Sequence, residues 1–203
     1  MIPAAIAALL LSAANPAPPA SASITPTLHA SIGTGYCDRA FVPGTDTRGA
    51  NPCYLVFGLQ AALRYGVIEA GLSYEGRQPL DLLSLFDFRP PTTTVLGGSA
   101  GLTTTTASER WRLSLAGEGG WRRYSHFAGY GPNRWRGDAD LPYLGLVGRA
   151  ATGMKNPAGR TDRIEVTVAW RRDLGTATDK EFGQVWKVGG WSFTMGVGLV
   201  ADW

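Results

Sequence analysis

Apolar residues alternate with small or polar residues along much of this 203-residue chain. The pattern is clearest in residues 191–203, where one parity is entirely apolar and the other is mostly Ser, Thr, Gly and Asp. Residues 109–125 show the same alternation, with Trp111 and Trp121 on the apolar side. Because a period of two separates the two faces of a β-strand, both segments predict strands with one apolar face.

The same period predicts six further strands, at residues 27–36, 55–64, 68–75, 95–103, 141–153 and 163–171. Short connections lie near Tyr65-Gly66 and at 104–108 and 154–160, whereas long ones cover 38–52, 76–94, 126–140 and 174–186. Short turns at one end and long loops at the other are typical of up-and-down barrels in the outer membrane. The path of residues 77–94 stays open, because their Leu- and Phe-rich run fits either a longer strand or an interfacial segment.

Tryptophans mark the ends of the apolar faces. Trp111 and Trp121 share one strand and would lie about 25 Å apart along the membrane normal at the usual rise and tilt. With Trp170 and Trp191 they form the predicted aromatic girdles. A soluble sandwich or lipocalin-like barrel is the alternative, but the small, mixed-charge second face favours a narrow lumen. We therefore predict an all-β fold, an eight-stranded antiparallel up-and-down transmembrane β-barrel.

The second face of the strands carries charges of both signs. An eight-stranded barrel is only wide enough to be filled by its own side chains. An unpaired buried charge is strongly unfavourable, so these charges are expected to pair and to close the lumen together with Tyr124 and Gln60. A narrow or gated pore is the alternative. The predicted lumen charges are Arg64, Glu69, Glu75, Arg110, Arg112, Glu118, Arg122, Arg149, Glu165 and Arg171.

The first residues predict export. Residues 1–22 contain no charged side chain, include an apolar stretch and end in Ala20-Ser21-Ala22, an A-x-A cleavage site. We expect a signal peptide at 1–22 and the barrel domain at 23–203. The two cysteines, Cys37 and Cys53, fit an oxidising compartment, and a disulfide between them would close the first long loop. Such a bond contributes about 3 kcal/mol in the chain-entropy model.

Little in the sequence points to catalysis. Charged residues make up 17% and the net charge is +3 without a basic run, so we expect no nucleic-acid partner. Phosphate-loop, zinc-site and nucleophile-elbow motifs are missing, so we expect neither a cofactor nor a metal. The adjacent Ser125 and His126 point to opposite faces of a strand, and the role of His126 stays open. The chain is expected not to be an enzyme, with a lipid-modifying enzyme as an alternative.

The export site, the alternating strands and the terminal segment 196–203 resemble the small eight-stranded outer-membrane barrels of the OmpA/OmpX type. The resemblance implies that the last strand is read by the barrel-assembly machinery through Trp203, Ala201 and Leu199, with Trp203 in place of the more usual Phe. It also implies a monomer in the cell outer membrane, surrounded by outer-membrane lipids and lipopolysaccharide. The expected role is structural, in envelope integrity, or one of surface interaction through extracellular loops. A small pore is the other alternative.

Overall fold

The structure, a computed structural model, describes residues 23–37, 54–79, 93–106, 111–127, 136–155, 161–175, 177–179 and 186–202. These residues form ten strands. The first five are β1 (Ile24–Cys37), β2 (Tyr54–Tyr65), β3 (Ile68–Pro79), β4 (Thr93–Thr105) and β5 (Trp111–Phe127). The others are β6 (Arg136–Lys155), β7 (Thr161–Asp173), β8 (Ala177–Asp179), β9 (Trp186–Val188) and β10 (Trp191–Asp202).

Eight of these strands form a closed barrel in the order β1-β10-β7-β6-β5-β4-β3-β2. Every neighbouring pair in the barrel is antiparallel, and β1 pairs with β10 to complete the ring. The predicted eight-stranded antiparallel up-and-down barrel is therefore confirmed. The described residues contain no helix that is long and apolar enough to cross a membrane.

Short and long connections lie at opposite ends of the barrel. The short-turn end holds the start of β1, the end of β10 and the turn between β2 and β3. In that turn Tyr65 pairs with Ile68, and Gly66 has φ 59°. Glycine adopts this left-handed conformation without steric cost, which allows a two-residue hairpin. We call the opposite end, where β1 and β2 are joined through residues 38–53, the long-connection end.

Several strands extend further toward the long-connection end than the alternation predicted. β3 continues to Pro79, and β5 and β6 remain paired up to Phe127 and Arg136. The predicted loops 76–94 and 126–140 therefore begin or end as strand. Apolar alternation missed these extensions because polar residues occupy both faces of a strand beyond an apolar band. β8 and β9 pair in a separate two-stranded sheet, which begins inside the predicted loop 174–186 and ends just beyond it, at Val188.

Burial in the barrel is inverted relative to a soluble protein. Large apolar side chains on the outer wall are exposed, such as Leu72 at 74% and Leu199 at 64%, whereas Arg77 and Arg122 are buried at 0% and 1%. A small group of apolar side chains also faces inward. It includes Val56, Val95, Tyr143, Val147 and Val200. The barrel therefore has an apolar outer wall around a mostly charged and polar interior.

Candidate functional site

The interior of the barrel contains four groups of charged and polar side chains, stacked from the short-turn end to the long-connection end. We call them the aspartate cluster, the histidine cluster, the central cluster and the tyrosine cluster. Each strand contributes through the parity that faces inward, so the members on one strand are separated by an even number of residues. Arg163, Glu165 and Arg171 on β7, for example, belong to three different clusters.

The aspartate cluster lies at the short-turn end and consists of Asp202, Arg64, Arg112 and Arg163. Nη1 of Arg112 donates to both carboxylate oxygens of Asp202, at 2.8 and 2.9 Å. Arg64 and Arg163 lie each 3.9 Å from the same carboxylate. One carboxylate thus holds three arginines from three strands at the end of the lumen.

The histidine cluster comes next and consists of His29, Glu69, Arg149 and Glu165. Nδ1 of His29 lies 3.1 Å from both carboxylate oxygens of Glu165, and Nε2 lies 3.8 Å from Glu69. Arg149 lies 3.6 Å from Glu69 and 3.9 Å from Glu165, and it donates to the amide oxygen of Gln60. A buried histidine is therefore held between two carboxylates that an arginine also contacts.

The central cluster is formed by Arg171, Glu118, Glu75 and Arg77. Arg171 donates through Nε and Nη2 to Glu118, and through Nη1 to Glu75 at 2.8 Å. Arg77 donates to the other oxygen of Glu75 at 2.6 Å. Because Arg171 is bidentate to Glu118 and also binds Glu75, it joins three strands across the lumen.

The tyrosine cluster lies toward the long-connection end and consists of Asp173, Arg122, Tyr124 and Ser192. The Tyr124 hydroxyl donates to Asp173 at 2.6 Å, and Arg122 lies 3.0 Å from the same carboxylate. Arg122 also donates to the Ser192 hydroxyl at 2.7 Å. The backbone N–H of Gly190 donates to Asp173 at 3.2 Å, which ties the start of β10 to this cluster.

A cavity of about 50 Å³ lies between the histidine and central clusters. Its lining combines apolar surface with the polar groups of His29, Gln60, Glu75, Glu118, Arg149, Glu165 and Arg171. A volume of this size accommodates a few water molecules, each of which needs two to four polar partners.

Glycines on the inner wall make room for the largest interior side chains. A Cβ atom on Gly97 would overlap the Tyr143 hydroxyl and approach its Cζ atom at 3.2 Å. A Cβ atom on Gly145 would come within 2.8 Å of the Arg171 Cγ atom. The guanidinium of Arg171 in turn lies 5.9 Å from the ring centre of Tyr143. The abundance of glycine on the second face of the strands therefore has a packing reason.

Most of the sequence-predicted lumen charges lie inside the barrel. The structure buries Glu69, Glu75, Arg112, Glu118, Arg122, Arg149, Glu165 and Arg171 and places Arg64 half-buried at the short-turn end. Arg110 lies outside the described residues. So do residues 1–22, Cys53 and Trp203, and the side chains of Cys37 and His126. Ala201 and Leu199 lie in β10, on the outward parity.

Five interior residues escaped the sequence prediction of lumen charges: His29, Arg77, Arg163, Asp173 and Asp202. All five continue the inward parity of a predicted strand or of its extension. Arg77 and Asp173 each fell two residues beyond a predicted strand end, Arg77 within an expected long loop and Asp173 just before one. Extending each alternating segment by two residues would have included both of them.

The outer wall carries the four girdle tryptophans. Trp111 lies at the short-turn end, whereas Trp121, Trp170 and Trp191 lie toward the long-connection end, and all four are exposed by 38–61%. Trp170 and Trp191 are stacked, with ring centres 4.2 Å apart and planes 4° from parallel. The Arg172 guanidinium lies 4.8 Å from the centre of the Trp191 ring.

The chain is similar in structure to Neisserial surface protein A. The crystal structure of that protein superposes with a TM-score of 0.57 at 12% sequence identity, and the match covers 91% of this chain and 100% of that one. At this identity the similarity establishes the fold. No model of a protein family matches the sequence, and no curated protein is similar to it in sequence.

In each of the four clusters, interior side chains from different strands contact one another. Within the described part of the chain, no group of three His, Cys, Asp or Glu side chains could hold a metal ion. His29 has Glu165 as a carboxylate partner, an arrangement that can orient a catalytic base, and both side chains line the small cavity. Most of the described interior charges form ion pairs with other side chains in the lumen. These ion pairs connect strands on different sides of the barrel.

Proposed function

We propose that the protein is a non-enzymatic barrel of the outer membrane, with a lumen closed by ion pairs and a structural or surface-interaction role. The observation that carries the proposal is the inverted burial: an apolar wall such as Leu72 and Leu199 around buried, paired arginines such as Arg122 and Arg171. Contact of this apolar wall with water would be unfavourable, whereas contact with the acyl chains of a lipid bilayer is not.

The orientation belongs to the same proposal. Barrels of this class have short turns on the periplasmic side and longer loops outside the cell. The long-connection end would therefore face the exterior and carry any interaction with partners. Export through residues 1–22, recognition of Trp203 by the assembly machinery and a Cys37–Cys53 disulfide complete the proposal. Mass spectrometry of non-reduced peptides tests the disulfide, which two free thiols in the exported protein would contradict.

Cell fractionation and gel mobility test the location and the fold together. The protein should partition with the outer membrane, and its unheated form should migrate differently from the boiled form because a closed barrel resists unfolding in detergent. Recovery in the soluble periplasmic fraction without a mobility shift would contradict the proposal and favour a soluble barrel.

Bilayer recording distinguishes a closed lumen from a pore. The aspartate, histidine, central and tyrosine clusters cross the lumen at four levels, so we expect little steady conductance from the purified protein in planar bilayers. The control is a variant that weakens the central cluster on both sides, Arg171→Ser with Glu118→Ser, which should conduct more often. Large, stable, salt-dependent channels from the unmodified protein would make it a pore.

An enzyme assay addresses the remaining alternative. Lipid A from cells with and without the protein should have the same mass. A mass difference that disappears in a His29→Ala or His126→Ala variant would make the protein a lipid-modifying enzyme, since loss of a general base lowers the rate by about 10²–10⁴-fold.

A further inference from the structure

On the outer wall, three side chains form one continuous stack near the long-connection end. The Trp170 ring lies on the Trp191 ring, and the Arg172 guanidinium lies on Trp191. Trp170 and Arg172 are two residues apart on β7 and share its outward parity, while Trp191 opposes Arg172 across the β7–β10 pair. All three side chains are exposed on the wall of the barrel.

The stack holds the guanidinium in a fixed position. A cation over a tryptophan ring is attracted by the negative face of the ring, even at an exposed site. Among the described residues, Arg172 forms no salt bridge with a carboxylate, and its side chain is exposed. A guanidinium held flat loses less conformational entropy when it binds a second group, and its paired N–H donors match the oxygens of a phosphate.

The surroundings of Arg172 are apolar. Leu144 on β6 lies directly opposite Arg172, and Phe193 on β10 lies directly opposite Trp170. The side chains of Leu144 and Phe193 are each exposed by about half. A ligand that binds here would thus contact one positive charge next to an apolar wall. Soluble anions lack an apolar portion that could use this wall, whereas a phosphorylated lipid has both parts.

The other exposed arginine of the described wall differs in its neighbour. Arg123 on β5 also lies two residues beyond a tryptophan, Trp121, but Asp140 opposes it across the β5–β6 pair. Its charge therefore has a carboxylate directly across the sheet. Arg123 and Arg172 are similar in type, exposure and position along the barrel, and they differ in the aromatic stack and the acidic neighbour.

We propose that the Arg172–Trp191–Trp170 stack binds the phosphorylated sugar headgroup of lipid A in the outer leaflet. The site rests on the proposed outer-membrane location and on an outward-facing long-connection end. The guanidinium of Arg172 binds a phosphate, the exposed edges of the two indoles contact the sugar, and Leu144 and Phe193 contact the acyl chains. Tryptophans at this depth also match the interface between headgroups and acyl chains.

The test uses the full chain in nanodiscs of phosphatidylcholine, titrated with diphosphoryl lipid A and with the dephosphorylated form. Lipid adducts are counted by native mass spectrometry. We expect the unmodified protein to retain the diphosphoryl form about tenfold more tightly, as one charge-assisted contact predicts. Arg172→Gln should abolish this preference, and Trp191→Leu should reduce it, whereas the matched control Arg123→Gln should leave it within about twofold.

Arg172→Lys separates charge from geometry, because it keeps the charge and loses the planar donor pair; it should bind with intermediate affinity. An unheated gel band verifies that each variant is folded. The proposal is wrong if Arg172→Gln binds like the unmodified protein, or if Arg123→Gln loses as much affinity as Arg172→Gln. These two results would refute only the lipid A site, provided that the protein still fractionates with the outer membrane. Failure to fractionate with the outer membrane would instead refute the proposed membrane barrel.

Discussion

Arg171 contacts two carboxylates from different strands, and its side chain is almost fully buried. Removing one partner of a buried ion pair leaves the other charge uncompensated and typically costs about 3–5 kcal/mol. We therefore expect Arg171→Ala to lower the free energy of unfolding by that amount, measured by urea titration of the gel mobility shift in detergent. Arg123→Ala, on the outer wall, is the control and should change it by less than about 1 kcal/mol. Equal effects would contradict the interior network.

Gly97 and Tyr143 provide a second test at the same scale. Gly97→Ala places a methyl group against the Tyr143 hydroxyl, so the heat-resistant band should be lost at a lower temperature. Tyr143→Phe in the same chain removes the overlapping oxygen and should restore part of the loss, since that hydroxyl has no hydrogen-bond partner among the described residues. The neighbouring Gly98→Ala is the control, because its new Cβ atom would have its first contact at 3.7 Å. If the effects of Gly97→Ala and Tyr143→Phe simply add in the double variant, the two sites are independent.

At the scale of the strands, the apolar outer wall provides a test that distinguishes a membrane barrel from a soluble one. Leu72 on β3 is the most exposed large apolar side chain of that wall, at 74%. An arginine facing lipid at mid-depth costs about 2–4 kcal/mol, but the same change on a water-exposed surface is nearly neutral. We expect Leu72→Arg to reduce insertion into phosphatidylcholine vesicles, as measured by protease protection.

Val67→Arg is the matched control for that variant. Val67 is exposed by 56% but lies in the turn between β2 and β3, outside the apolar band. The Val67→Arg variant should insert into vesicles as well as the unmodified protein does. If Leu72→Arg also inserts normally, the wall does not face lipid.

The strands also show how far the sequence determines the fold. Alternation identified all eight barrel strands, because each has an apolar outer face and a mostly polar inner face. It failed at the strand ends, as with Arg77 and Asp173, where both environments are polar. Alternation could not predict which interior side chains contact one another. The contact of His29 with Glu165, for example, depends on the register of β1, β10 and β7. Parity assigns a residue to a face, but not to a level in the barrel.

At the scale of the whole molecule, closure depends on one pair of strands. Ala30 on β1 directly opposes Leu199 on β10, and both face outward. Cysteines at directly opposed positions are close enough for a disulfide. The double variant Ala30→Cys/Leu199→Cys should therefore become cross-linked on oxidation, as identified by peptide mapping.

Ala30→Cys/Met195→Cys is the control for closure. Met195 lies four residues from the partner of Ala30, about 13 Å along the strand, so this pair should remain reduced. Cross-linking of the control, or none in the matched pair, would contradict the register of the closing strands.

The pairing of β1 with β10 also sets the order of events in time. These strands lie at opposite ends of the barrel sequence, so the ring cannot close until the last strand has been made and delivered. Until then, both carry unpaired backbone groups that can join strands of other molecules. Contacts this distant in sequence form slowly. A cell that makes this protein must therefore keep an open, aggregation-prone sheet apart from its copies during a long interval before closure.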